Sequence, residues 1–200
     1  MFAASAGFVF GAAEPVFSHR LHVKLKPDCV SCHAAAPSSK QVSDNILPAR
    51  TVCLECHQSV NIGKPARRMV DKFSHEQHLK LGNVAPVIAA AIDAGTYLSP
   101  PGGVRRQLET KNSCVACHHG IEQSEQSSNA NFPRMADCLV CHNKIDLPFS
   151  CTFCHAEGAQ LKPANHTANF LDFHSSGKAN LDKQSCAVCH GRRFTCLGCH

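Results

Sequence analysis

Apolar positions along this chain gather in short runs separated by polar and turn-forming residues, and the alternation expected of half-buried strands is absent. Pro86 to Ala94 (PVIAAAIDA) predicts a short apolar helix with proline in its first turn and Gly95 as its stop. Tyr97-Leu-Ser-Pro-Pro-Gly-Gly103 then breaks the chain, and Arg105 to Lys111 predicts a further helical turn. The polar run from Ile121 to Arg134 predicts an exposed loop. The expected fold is mostly irregular with short α-helices and little or no β.

One pattern occurs twice. Phe17-Ser-His19-Arg-Leu-His22-Val-Lys-Leu returns as Phe73-Ser-His75-Glu-Gln-His78-Leu-Lys-Leu, an internal repeat. Histidines at i and i+3 share one helical face, yet their rings diverge enough to serve two different centres.

The cysteines change the picture. All 14 fall inside C-x-x-C-H units. In chain order these are Cys29, Cys32 and His33; Cys53, Cys56 and His57; Cys114, Cys117 and His118; Cys138, Cys141 and His142; Cys151, Cys154 and His155; Cys186, Cys189 and His190; and Cys196, Cys199 and His200. This unit attaches c-type haem, with two thiols bonded to the porphyrin and the next imidazole on the iron. A disulfide scaffold or zinc knuckles would also use many cysteines, but neither requires histidine after every second one. The cofactor expectation is therefore seven covalently bound haem c. At roughly 29 residues per haem the chain is too short for a conventional core around each, so porphyrin faces must supply much of the buried apolar surface. The fold is an expected multihaem arrangement organised around a haem chain, and it should collapse without cofactor.

Seven histidines lie outside the motifs: His19, His22, His75, His78, His119, His166 and His174, one for each iron in a chain with only 3 methionines. Bis-histidine ligation throughout is the expectation, which leaves no vacancy for substrate. His19 is expected to serve the first haem and His75 the third, with His22 and His78 reaching haems further along and joining modules through iron. His119 cannot ligate the same iron as His118 and should point to a neighbouring haem. His166 and His174 should serve the last cluster. Motifs starting at Cys138 and Cys151 are 13 residues apart and those at Cys186 and Cys196 are 10 apart, which brings neighbouring porphyrins close. Pro86 to Ala94 is then read as a cover over a haem face, with a partner-docking surface as the alternative.

His19-x-x-His22, followed by Pro27-Asp28-Cys29 and its motif, resembles the start of class III cytochromes c, the small tri- and tetrahaem electron carriers of anaerobic bacteria. The resemblance implies that His19 is distal ligand to the first haem and that His22 serves a later one. The final pair from Cys186 to His200 and the His118-His119 doublet also look like features of that family. The central helix and extra haems depart from it.

Charge bears on partners. The formal net charge is +5, but seven haems would bring about 14 propionate charges and return about one positive charge per ferric iron, giving roughly −2 oxidised and −9 reduced. Basicity is thus mostly propionate compensation, and nucleic acid is not an expected partner. Met1 to Ala13 is apolar, ends in small residues and is shorter than the about 20 residues a span needs. It reads as a signal-peptide remnant or an apolar arm, and no other segment is expected to cross a membrane. Haem attachment outside the cytoplasmic membrane implies a periplasmic or extracellular location. The expected domains are a dihaem module over 14–64 and a pentahaem module over 65–200 that contains a helical insertion at 79–113.

Electron transfer between redox partners is the leading functional expectation. The partners would be donor and acceptor cytochromes, or a membrane quinol oxidase or porin complex. The chain is not expected to be an enzyme; a reductase with one open haem and a subunit of a polymeric filament are the alternatives. The terminal haem on His200 is expected to be an exposed electron port.

Overall fold

A computed structural model describes residues 17–61, 70–143, 151–176 and 183–197, the last with side chains for 184–191. The expectations placed on Met1 to Ala13, on the boundary at 64–65 and on His200 lie outside the described residues. Helices α1 (His19–Leu25), α2 (Arg50–Leu54), α3 (His75–Leu79), α4 (Ala85–Asp93), α5 (Val104–Gln107), α6 (Met135–Leu139), α7 (Phe170–Ser175) and α8 (Lys183–Leu197) are joined by turns and single 3-10 turns. No strand occurs among the described residues. The mostly helical and irregular architecture with little β is therefore observed, and no described helix is long and apolar enough to cross a membrane.

The repeat is structural as well as sequential. Ser18 precedes α1 and its hydroxyl accepts from the Leu21 N–H at 3.3 Å. Ser74 caps α3 the same way, accepting from the Gln77 N–H at 3.3 Å. Serine suits this place because its oxygen satisfies one of the donors that a helix start leaves unpaired.

The two copies interlock. The Glu76 N–H at the start of α3 donates to the Ser39 carbonyl at 2.9 Å, which seats α3 on the turn after the first C-x-x-C-H unit. Reciprocally, the Arg20 N–H in α1 donates to the Ser124 carbonyl at 3.0 Å, seating α1 on the turn after the third unit. Ser18 Oγ donates to Glu125 at 2.6 Å, and Arg20 pairs with the same carboxylate. The 121–134 run, expected as an exposed loop, is largely solvent-facing but carries this contact; its carbonyls and Glu125 bind the first copy. Each of these two helices thus rests on the opposite copy's post-motif turn.

Between α3 and the third motif lies the insertion. In α4 Pro86 occupies the first turn, and Asn83 fixes the approach by accepting from the Ala85 N–H at 3.0 Å while donating to the Thr110 carbonyl at 2.8 Å. Gly95 ends it at φ 66°, a left-handed conformation that costs other residues energy. The second helix is shorter and earlier than the Arg105–Lys111 expectation. The Thr110 hydroxyl accepts from the Asn112 N–H and Asn112 Oδ1 accepts from the Cys114 N–H, both at 3.0 Å, so these side chains draw the chain into turns instead of helix.

The insertion carries the main apolar core. Ile88 and Ala89 of α4, Tyr97, Val104 and Leu108 pack with Ala116 of the third motif and Ala136 of α6. Val140 and Val188 close its edges, so the core ties the third, fourth and sixth motifs to one scaffold. Elsewhere large apolar side chains stay open, including Leu25 at 81% exposure and Leu171 at 68%.

Val104 is 1% exposed whereas Val87 is 49% exposed. Val104→Ala should cost roughly 2–3 kcal/mol through lost transfer energy and the cavity left behind. Val87→Ala should cost less than about 0.5 kcal/mol. Chemical denaturation of the loaded protein, followed by far-UV circular dichroism, checks the difference; equal costs would remove the insertion from the role of core.

Candidate functional site

The spare histidines and the motif histidines meet in pairs. His19 faces His33 with ring centroids 6.3 Å apart and planes within 10°, and His75 faces His118 at 6.4 Å and 9°. His22 faces His57 at 6.1 Å and 40°, and His78 faces His142 at 6.2 Å and 44°. His166 faces His190 at 6.0 Å and 3°. The two copies of the repeat reproduce each other to about 0.1 Å and a few degrees. His22 and His78 therefore each meet the second motif of their own copy, not a haem that links copies.

This separation has a simple meaning. An imidazole–metal bond is about 2 Å and a ring centroid lies roughly 1.1 Å behind its nitrogen, so two axial imidazoles on one iron stand about 6.3 Å apart. Direct stacking would be closer; Phe17 on His22 and Phe73 on His78 are each at 4.3 Å. The same phenylalanines meet His19 and His75 edge-on at 4.8 Å. One Phe thus wedges both rings of its helix into divergent directions, a role hidden in the repeated Phe-Ser-His until the geometry is seen.

Hydrogen bonds fix the rings from behind. The Nδ1 atoms of His22 and His78 lie 2.8 Å from the Ser18 and Ser74 carbonyls. His33 Nδ1 lies 2.8 Å from the Ile46 carbonyl and His118 Nδ1 lies 3.0 Å from that of Asn131. His19 Nδ1 meets Ser127 Oγ at 2.9 Å, and His166 Nδ1 meets Asn165 Oδ1 at 2.8 Å. An Nδ1–H donated to oxygen sets the tautomer that leaves Nε2 bare for a metal. Burial, then the neighbouring His33, His22 and His118 rings, hold His19 at a pKa of about 4. Burial first, then neighbouring imidazoles, also lower His75.

The cysteines fit covalent attachment. No disulfide joins the twelve cysteines of the first six motifs. No group of three or more metal-binding side chains gathers among the described residues, so they form no closed zinc-type cage. A haem needs only two protein ligands because the porphyrin supplies four nitrogens. Val30, Leu54 and Phe153, each inside a motif, are 40%, 42% and 58% exposed. These apolar side chains are where a porphyrin edge would cover them, so the residues present fit the group.

The second thiols of the first, second and fourth motifs differ in exposure. Cys32 is half-buried, and the Ser31 hydroxyl donates to its sulfur at 3.9 Å. Cys56 and Cys141 are exposed, whereas Cys53 and Cys138, the first thiols of the same motifs, are half-buried. The turn itself is the same in all three. The Cys32, Cys56 and Cys141 N–H groups donate back to the Cys29, Cys53 and Cys138 carbonyls, each at 3.2 Å. The following His33, His57 and His142 N–H groups donate to the same carbonyls at 2.8, 3.0 and 2.9 Å. A backbone wound this tightly brings both thiols and the imidazole to one small arc.

Sites from different copies approach each other. Asn112 Nδ2 donates to Cys29 Sγ at 3.4 Å, and a Cys114–Cys29 hydrogen bond joins the first and third motifs. That bond, aided by Asn112, holds the Cys29 thiol at about 6, and it raises Cys114. Cys138 lies within electrostatic range of Cys117 and Cys154, and Cys189 within range of Cys151. The Asp71 and Lys72 N–H groups donate to the Cys154 carbonyl at 3.0 and 3.1 Å, placing the fifth motif beside the start of the second copy.

His119, expected to point to a neighbouring haem, has a carboxylate partner inside the protein. It is 3% exposed, and its Nε2 is 2.9 Å from Asp137 Oδ2. Asp137 also accepts from the Tyr97 hydroxyl at 2.8 Å and from the Arg134 N–H at 2.7 Å. Burial first, then the Asp137 charge, push the Tyr97 phenol upward, so it remains a donor. The physical reason is local: Asp137 is buried and needs donors, and the ring after His118 is the nearest. Sequence reasoning does not single out Tyr97 or Asp137; the one available signal is an acid directly before Cys138. His155 lies beside a polar cleft of about 460 Å³ lined also by Asp71, Lys72, Thr152 and Glu157. His174 stacks on Phe170 at 5.6 Å. The side chain of Cys196, and Cys199 and His200, lie outside the described residues.

No protein-family profile, curated protein or solved structure matches this chain.

The lowered His19 predicts a pH response. Its folded pKa of about 4 is below the unfolded value of 6.5, so the unfolded chain binds more protons between those values. Stability should be fully present above pH 6.5 and decline as pH falls toward 4. Thermal midpoints measured across that window should fall, and His19→Gln should flatten the trend; a midpoint that rises on acidification would contradict this sign.

Proposed function

We propose that the chain is a heptahaem c-type cytochrome that transfers electrons between redox partners in respiratory or extracellular electron transfer. The carrying observation is the five imidazole pairs at the separation that axial ligation of one iron requires. Bound haem supplies reversible one-electron chemistry. The thiol pairs Cys29 and Cys32, Cys53 and Cys56, Cys114 and Cys117, Cys138 and Cys141, Cys151 and Cys154, Cys186 and Cys189, and Cys196 and Cys199 would hold the seven groups. Their adjacent histidines bind from one side and His19, His22, His75, His78 and His166 from the other.

The protein's own work is spacing and positioning. Interlocking of the two copies sets the first and third sites side by side, with Cys29 and Cys114 at the junction. On this reading α1 carries the distal histidines of the first two sites, and the thiols of the third to sixth lie within electrostatic range one after another, so the sites would run second, first, third, fourth, fifth, sixth, which differs from chain order. Paired axial imidazoles favour electron transfer over substrate binding at those irons. The resemblance to class III cytochromes c rests on the same residues and agrees with a carrier exported to the periplasm or beyond, meeting donor and acceptor proteins.

Purified protein should contain seven haems per chain by pyridine haemochrome assay. In its reduced state, NMR should show nuclear Overhauser contacts between haem substituents of the first and third sites, and none between the second and third. Zinc or disulfides in place of haem would defeat the reading; contacts following chain order would defeat the arrangement only.

A further inference from the structure

Among the described residues Asp137 is the one buried acid, at 6% exposure, and every other aspartate and glutamate reaches solvent. Its carboxylate accepts from the Tyr97 hydroxyl at 2.8 Å and the Arg134 N–H at 2.7 Å, and it meets His119 Nε2 at 2.9 Å. With three donors on its two oxygens the group is held as an acceptor, the role of an anion. Its one ion-pair partner among the described residues is His119. The Arg134 guanidinium donates instead to the Pro100 and Pro101 carbonyls, at 3.1 and 3.3 Å.

Two chain neighbours set the place of that charge. Asp137 immediately precedes Cys138 of the fourth motif, on α6, and His119 immediately follows His118 of the third. Asn131 pins the second junction, with its carbonyl 3.0 Å from His118 Nδ1 and its Nδ2 donating to the His119 carbonyl at 2.9 Å. Burial first and the Asp137 charge second raise both the Cys117 and the Cys138 thiols, so the carboxylate is felt at both motifs. An acid needed only to start α6 could stay in solvent; burying it costs energy that a cap does not require.

We propose that the Asp137 carboxylate lowers the reduction potentials of the third and fourth haems and so biases electrons toward the outer haems of the series. This rests on the heptahaem reading. Reduction of a ferric haem adds one electron, supplied by the donor protein, and removes one positive charge at iron. A fixed anion beside it in a low-dielectric interior therefore favours the ferric state. Burial keeps solvent and salt from screening that charge as they would at the surface. Tyr97 is a positioning residue, whose hydroxyl holds the carboxylate and partly offsets its charge.

The test begins with a haem count on the purified protein. Seven haems without the shifts below fail this inference alone; a lower count fails the heptahaem reading, and haem missing from the third or fourth site fails both. Stepwise reduction at fixed pH, followed by NMR signals assigned to each haem, gives the individual potentials. Asp137→Asn should raise those of the third and fourth haems by about tenfold in the reduction equilibrium, about 59 mV for one electron, with smaller changes elsewhere. Tyr97→Phe keeps the charge and removes a donor, and it should move the same two potentials downward. Loosened packing alone would move both variants the same way. Unchanged third and fourth potentials in Asp137→Asn, or an equal rise at every haem, would overturn the inference. Should Asp137→Asn not load haem, Tyr97→Phe decides: a fall confined to those two haems supports the assignment, and a rise or no change overturns it.

Discussion

The rest of the structure depends on a gap of about 6 Å between facing imidazoles. Two rings at that distance attract each other weakly, and holding them there takes a set of local devices. Ser18 and Ser74 start the ligand helices and also offer the carbonyls that orient His22 and His78. Phe17 and Phe73 wedge the paired rings apart. The apolar side chains inside the motifs, Val30, Leu54 and Phe153 among them, stay open. In the proposed reading porphyrin covers them and supplies the buried surface that so short a chain lacks.

The C-x-x-C-H units are read without tertiary context because their spacing is fixed, and the Phe-Ser-His repeat announces matching helices. Spacing is silent on exposure, however, and Cys56 and Cys141 stand open where their motif partners Cys53 and Cys138 are half-buried. Helix α4 was legible for a similar reason, with Pro86 and Gly95 marking its ends by backbone geometry alone. What could not be read was which surfaces meet. Nothing local tells that the Ile121–Arg134 run clamps α1, since its polarity suits solvent and the partner lies about a hundred residues away. The extent of α5 was misjudged because Thr110 and Asn112 capture backbone N–H groups that a helix would use.

His119 shows the limit of counting. Seven spare histidines for seven irons is a persuasive sum, and the doublet with His118 matches a feature of small cytochromes. The sum says nothing of the buried carboxylate that His119 meets. Asp137 sits next to Cys138 and accepts from Tyr97, Arg134 and His119, so one histidine serves as a structural donor. The same network joins the insertion core to the third and fourth motifs. A residue type that meets a motif histidine elsewhere in the chain here serves to satisfy the interior.

The central claim is that facing imidazoles mark iron positions. Anomalous X-ray diffraction at the iron absorption edge from crystals of the loaded protein locates every iron directly. The account predicts an iron midway between His19 and His33, between His22 and His57, between His75 and His118, between His78 and His142 and between His166 and His190, with the first and third as neighbours. Iron located away from these midpoints, or iron bonded to His119, would contradict it.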